Sequence, residues 1–277
     1  MVLNPNPPSG AVAGLPSGSG ASPEPAASPS PTRTATPSPS PVTIDDDDTP
    51  LGFIADHIQY INGYLDGSVR PDADITRAET AAILFRLLEF EAKHDTYTSK
   101  FPDVTDDAWY AQSVKYLTHI EIIKGYPDGL FRPDNPITRA EFATLISGFD
   151  KLAPSSRNNF SDIDGHWAVG YINSAATKGW VAGYPDGSFR PEANLTRAEI
   201  VTVINRMLKR GIELEDLPDW APSYNDIDET HWGYLAIMEA SIGHEFNRKN
   251  PEASINTPEG IIELRTRRLN WSSVLES

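Results

Sequence analysis

Three copies of one eighteen-residue pattern leave this chain few folds to choose from. The pattern reads G-Y-L-D-G-S-V-R-P-D-A-D-I-T-R-A-E-T from Gly63, G-Y-P-D-G-L-F-R-P-D-N-P-I-T-R-A-E-F from Gly125 and G-Y-P-D-G-S-F-R-P-E-A-N-L-T-R-A-E-I from Gly183. Starting points 62 and 58 residues apart define a repeat unit, and a repeat unit buries its apolar face against its neighbours. Each copy predicts a tight turn, a short extended arm and a helix start. In Tyr126-Pro127-Asp128-Gly129 the proline fits the second position of a type I turn, with Asp and Gly following. Thr138-Arg139-Ala140-Glu141 has the Thr-x-x-Glu form of a capping box, in which each residue's side chain serves the other's amide. Ala140, Ala143, Leu145, Ile146 and Phe149 carry one broad apolar face onward. Every copy therefore sets an arginine (Arg77, Arg139 or Arg197) in the first turn of a helix beside a stiff glycine-bearing loop, a place suited to an anion.

A second element is out of phase with the first. F-P-D-V-T-D-D-A-W at 101–109, F-S-D-I-D-G-H-W at 160–167 and Y-N-D-I-D-E-T-H-W at 224–232 each place an aromatic, an Asp two residues on and a Trp before a helical stripe. The first repeat has the turn half without this element, and the last copy of this element has no turn half after it. One late half, two full repeats and one early half add up to three units, so a ring closes if residues 222–247 dock beside residues 51–98. Between them lie repeats at 99–157 and 158–221. Ile54, Ile58 and Ile61 predict a helical stripe leading into the first turn, and the helix after it is expected from about Thr76 to Glu89. Residues 248–277 show little pattern and are expected to be a short tail.

Composition bounds the rest. Residues 1–50 hold 12 of the 24 prolines and close on Asp45–Asp48, which predicts a disordered Pro/Ser/Thr-rich linker. No basic stretch followed by an apolar run opens the chain, and Met1 leading into a spacer suggests a piece of something larger. No apolar run approaches the ~20 residues of a membrane helix. A net charge of −16 argues against nucleic acid and anionic membrane as partners, and the absence of cysteine removes disulfides and thiolate zinc sites.

The blocks F-x-D-h-x-x-x-W, G-Y-P-D-G-x-F-R-P and I-T-R-A-E resemble the S-layer homology domain of bacterial surface proteins, over roughly residues 51–246. The resemblance implies a mainly α fold in which three pseudo-threefold repeats form a three-helix bundle with three prongs, a spindle closed by the two half repeats. It implies an extracellular protein at the cell wall or S-layer of a Gram-positive bacterium. Its grooves would bind a secondary cell-wall polysaccharide ending in pyruvylated N-acetylmannosamine, or a peptidoglycan-linked glycan. The half repeat at each end is also similar to wall anchors of anaerobic Gram-positive bacteria, including scaffold proteins of cellulosomes. The family's arginine maps onto Arg77, Arg139 and Arg197, while Leu65, Val69 and Thr80 depart from the residues their sister repeats carry.

The residue types suit such a ligand. A pyruvyl ketal presents one planar carboxylate, which a guanidinium meets with two charge-assisted hydrogen bonds. Helix-start amides would add partial positive charge, and Gly67, Gly129 and Gly187, beside the turn residues Asp66, Asp128 and Asp186, would let backbone approach a sugar. Trp109, Trp167 and Trp232 offer either ring faces or core packing. The alternative for the arginines is pairing with an acid of a neighbouring repeat. The other repeated arginines, Arg70, Arg132 and Arg190, read as structural. The pattern Asp162-Ile163-Asp164-Gly165 lacks the Glu of a calcium loop, and His166 and His231 read as surface or packing residues, so no metal and no cofactor is expected. No catalytic motif occurs. A non-catalytic, monomeric wall anchor is the expectation, with S-layer assembly through protein–protein contacts as the alternative.

Overall fold

A computed structural model of the chain describes residues 57–88, 97–149, 155, 159–248 and 262–268. The linker expected over residues 1–50 and the Asp45–Asp48 run lie outside these residues, as does Ile54. The described residues contain six α-helices: α1 (Arg77–Arg86), α2 (Ala111–His119), α3 (Arg139–Phe149), α4 (Val169–Thr177), α5 (Arg197–Met207) and α6 (Tyr234–Ser241). The fold is mainly α, as expected.

Two kinds of helix alternate because the two halves of the repeat start helices differently. The odd-numbered helices begin at capping boxes: the Thr76 hydroxyl accepts from the Glu79 amide at 3.1 Å, and the Glu79 carboxylate accepts from the Thr76 amide at 2.9 Å. Thr138 with Glu141, and Thr196 with Glu199, repeat the exchange. Helices α2, α4 and α6 follow the aromatic-Asp-Trp elements and have no side-chain cap. The main helix packing is pairwise, α1 on α2, α3 on α4 and α5 on α6. Helix α1 ends at Arg86 with Leu87 as its C-cap, three residues short of the expected end.

Around the shared axis the repeats are joined through backbone. Ile75 donates to the Leu195 carbonyl, Leu195 to that of Ile137, and Ile137 to that of Ile75, each at 3.0 Å. A second cycle caps the helices: the Arg77 and Ala78 amides donate to Asn135 and Pro133, those of Arg139 and Ala140 to Ala193 and Pro191, and those of Arg197 and Ala198 to Ala73 and Pro71. The first-turn amides are thus spent on the next repeat's arm. This corrects the expectation that they face a ligand.

The Asp of each aromatic-Asp-Trp element ties its own arm down. Asp103 accepts from the Phe131 and Arg132 amides, and Asp162 from those of Phe189 and Arg190. In the same way Asp226, near the other end of the chain, accepts from Val69 and Arg70 at 2.8 and 2.7 Å. The closing half repeat therefore completes the first unit. Glycine is obligatory beside it: a Cβ on Gly63 would lie 2.5 Å from the Tyr224 ring, and one on Gly125 would lie 2.3 Å from Phe101.

The seam of the ring copies a covalent junction. After α2 the chain turns so that Ile122 and Ile123 donate to the Leu117 carbonyl. At the end of α6, Tyr60 and Ile61 make the equivalent bonds to the Ala240 carbonyl, from the opposite end of the chain. This is why residues 57–62 are not helical, contrary to the Ile54–Ile58–Ile61 reading. Ile58 and Ile61 are buried, but their segment has no regular secondary structure and fills the slot a continuous chain would fill. Past α6, β1 (His244–Arg248) pairs antiparallel with β2 (Ile262–Arg268), an element the sequence pattern of the tail did not reveal.

Candidate functional site

Each of the three helix-start arginines crosses to the following repeat. Arg77 donates from Nε to the Phe131 carbonyl at 2.8 Å and pairs with Glu141 at 3.0 Å, its guanidinium 4.6 Å from the Tyr126 ring centroid. Arg139 donates to the carbonyls of Phe189 and Ala182 at 2.7 and 2.9 Å and lies over the Phe189 ring. Arg197 closes the cycle with a 2.9 Å bond to the Asn62 carbonyl, but its buried Nε has no hydrogen-bond partner. One role in the fold thus comes with three different states of satisfaction.

Arg197 also borders a cleft. The cleft is small and is lined by Tyr60, Asn62, Glu79, Arg86 and Arg197, with Ile61, Ala82 and Ile83 as its apolar wall. Arg86, in the last turn of α1, donates to the Tyr60 carbonyl at 2.7 Å. Burial, and after it the charge of Arg197, lowers the pKa of Arg86 below its usual value. The two cations therefore disfavour each other in a poorly solvated place. Glu79, the acid in the same cleft, is engaged by its capping box and by the Tyr64 hydroxyl at 2.9 Å.

The corresponding positions in the other repeats differ. Arg206 occupies the place of Arg86 in the third repeat and donates to the Trp180 carbonyl at 3.3 Å, and burial lowers its pKa as well. In the second repeat the place belongs to Gly148, where a Cβ would meet Ile122 at 2.8 Å. The junction that Arg77 enters therefore lacks a second arginine, and its acid Glu141 neutralises the first.

The turns carry less ligand chemistry than expected. The amides of Gly67, Gly129 and Gly187 donate to the Tyr64, Tyr126 and Tyr184 carbonyls at 3.0 Å, and all three glycines have φ near +80°. Asp66 and Asp186 accept from the amide and hydroxyl of Ser68 and Ser188, which lowers each carboxyl to about 2. In repeat 2, Asp128 accepts from the Leu130 amide and from Arg132. Arg70, Arg132 and Arg190 hold the left-handed conformation (φ 53°, 58° and 57°) and stack 3.9–4.2 Å over the tyrosine rings of their own turns. Those arginines build the turn. None of these residues lines the cleft. Of the tryptophans, Trp167 and Trp232 are 61% and 49% exposed, while Trp109 is half-buried, edge-on to Tyr110.

Sequence reasoning passed over Arg86 and Arg206, although aligning the three copies past the capping box shows them opposite Gly148. It also passed over a buried group at the seam, His57, Glu239 and His244. No local spacing signals that group, because 187 residues separate the two histidines.

The sequence signature of the S-layer homology domain matches residues 59–81, 100–143 and 159–201. The three repeats are S-layer homology repeats. The chain is similar to Cell surface glycoprotein 1 of Acetivibrio thermocellus, with 39% identity over 212 residues, 72% of this chain and 9% of that protein. It is also 39% identical to a cellulosome-anchoring protein of the same organism over 205 residues, 70% of this chain and 44% of that protein. An amylopullulanase of Thermoanaerobacterium thermosulfurigenes is 33% identical over 160 residues, 54% of this chain and 8% of that protein. The chain thus spans less than half the length of each of these relatives. The S-layer homology repeats and the surface-protein relatives place the chain outside the cell, at the wall or surface layer, and support a role in cell-surface anchoring.

Proposed function

We propose that the chain is a non-catalytic module that anchors a surface protein by gripping an acidic group of a secondary cell-wall polysaccharide, the terminal pyruvylated N-acetylmannosamine, in the cleft between Arg197 and Arg86. One observation carries the reading: two poorly solvated guanidinium groups border the same cleft, and the buried Nε of Arg197 has no hydrogen-bond partner. A carboxylate between them would relieve their mutual repulsion and supply the missing acceptor, with charge-assisted bonds to both. The apolar wall of Ile61, Ala82 and Ile83 suits the unsubstituted face of a sugar ring or the pyruvyl methyl. The junction around Arg139 and Arg206 has the same two arginines and is the second candidate groove. That around Arg77 is the weakest.

The test is co-sedimentation of the full chain with purified wall polymer, before and after removal of its pyruvyl groups. Binding that depends on pyruvate and is lost in Arg197→Ala supports the reading. Equal binding to both polymers would overturn the carboxylate mechanism. Absence of binding to either would shift the function to surface assembly through protein contacts.

A further inference from the structure

We propose that His57, Glu239 and His244 form a transition-metal site, suited to Zn2+, that clips the ring shut at its seam. The three side chains come from the two ends of the described fold. His57 precedes the first turn, Glu239 lies in the last turn of α6, and His244 opens β1. All three are at most 3% exposed. His57 Nδ1 lies 3.0 Å from His244 Nε2 and 2.8 Å from Glu239 Oε1, and His244 Nε2 lies 3.5 Å from Glu239 Oε2.

These distances are those of ligands around one small ion. Donor atoms bound at about 2.0–2.1 Å in a tetrahedron stand roughly 3.3 Å apart, so the ion needs only small side-chain shifts. A proton can bridge the two imidazoles at 3.0 Å, but it leaves the carboxylate poorly served. The close approach of His57 to Glu239 lacks hydrogen-bond geometry, and both carboxylate oxygens of the buried Glu239 are without a hydrogen-bond partner. A buried carboxylate so placed carries a large desolvation cost, which an ion bound to it would offset. Two imidazoles and one carboxylate are a common zinc donor set, and the absence of thiols disfavours softer ions. Arg210 is also buried, and its charge acts on Glu239, so it competes with the ion for that carboxylate.

The location gives the site its purpose. In the other two repeats the segment after the helix is joined to it by the chain itself. Here the junction is held by the Tyr60 and Ile61 bonds to Ala240 and by the 2.9 Å bond from the His244 amide to the His57 carbonyl. A metal bridging His57 to Glu239 and His244 replaces the missing covalent link with coordination bonds.

The experiment titrates the EDTA-stripped full chain with Zn2+ and, separately, with Co2+. Expected are one equivalent bound at micromolar or lower concentration, a raised Tm reversed by EDTA, and intense visible Co2+ bands of a four-coordinate site. The near-isosteric Glu239→Gln should weaken Zn2+ binding by more than the roughly 10–100-fold that losing an outer partner of a ligand costs. A His166→Gln/His231→Gln variant, which removes the two surface histidines paired with Glu192 and Asp72, should bind as before. Hydrogen exchange at Tyr60 and Ile61 should slow when zinc is added. The inference is overturned by no binding in the micromolar range, by only weak six-coordinate Co2+ bands, by undiminished binding in a folded Glu239→Gln chain, or by unchanged exchange at the seam. Should Glu239→Gln fail to fold, the Co2+ spectrum and exchange of the wild-type chain decide the matter.

Discussion

The junction between the third and first repeats and the junction between the first and second are built from the same parts and end in opposite states. At the former, Arg197 reaches the Asn62 carbonyl, keeps its Nε unbonded and shares a cleft with Arg86. At the latter, Arg77 makes its carbonyl bond to Phe131 and is then neutralised by Glu141, while Gly148 and Ile122 stand where Arg86 and Tyr60 stand at the former. The repeated arginine is therefore first a structural strut, carrying each repeat onto the next. On the proposed function it also serves as a ligand group where a second cation shares its cleft. Threefold symmetry of sequence does not imply three equal sites.

The largest effect that would break this comparison is on stability. Arg77→Ala takes the cation from Glu141, which keeps its bonds from the Tyr126 hydroxyl and the Thr138 amide, and orphans the Phe131 carbonyl. Truncating one side of a fully buried ion pair costs about 3–5 kcal/mol, an upper bound for this partly exposed one. Chemical denaturation should show that loss, while the folded fraction binds polymer as the wild type does. Arg197→Ala should do the reverse. Orphaning the Asn62 carbonyl costs about 1–3 kcal/mol, but losing a charge-assisted contact worth about 1.5–3 kcal/mol should weaken polymer binding by roughly 10- to 100-fold. If the two variants gave the same pair of changes, the junctions would be equivalent and the comparison would fail.

A gain-of-function version is smaller in effect but sharper. Gly148→Arg restores the second cation, Ile122→Ala clears the 2.8 Å approach, and Glu141→Gln releases Arg77 while keeping an acceptor for Tyr126. The triple variant should bind more pyruvylated end groups per chain than the wild type in equilibrium dialysis. Unchanged stoichiometry would mean that cleft shape, not charge, separates the junctions.

Much of this architecture was legible in the sequence because it is local or periodic. The capping boxes at Thr76, Thr138 and Thr196 follow from a four-residue pattern, and the ring follows from the mismatch between half repeats at the two ends. What was not legible is where long side chains go after leaving their own repeat. Nothing near Arg77 announces that its partner is Glu141, or that the helix-start amides are taken by Asn135 and Pro133. The seam group is harder still. His57 and His244 meet only once the ring has closed, and Ile58 and Ile61 imitate a helix while lying in the irregular segment that fills the seam.

The smallest predicted effect lies in the turns, where the second repeat is again the exception. Asp66 and Asp186 each accept from a serine amide, a serine hydroxyl and an arginine, which holds both carboxyls at about 2. Asp128 has Leu130 in place of the serine, and its pKa is lowered by the Leu130 amide first and Arg132 next. A depressed carboxyl pKa favours the folded turn above the ordinary carboxylate range, and that contribution is lost as pH falls through the folded value. For Asp66 and Asp186 the window runs from about 4 down to about 2. Side-chain NMR titration should therefore show Asp128 protonating before Asp66 and Asp186 as acid is added. Leu130→Ser, which supplies the missing hydroxyl, should move Asp128 down to join them. If the three carboxyls titrate together in the wild-type chain, the serine hydroxyl contributes nothing, and this difference between the repeats is one of sequence alone.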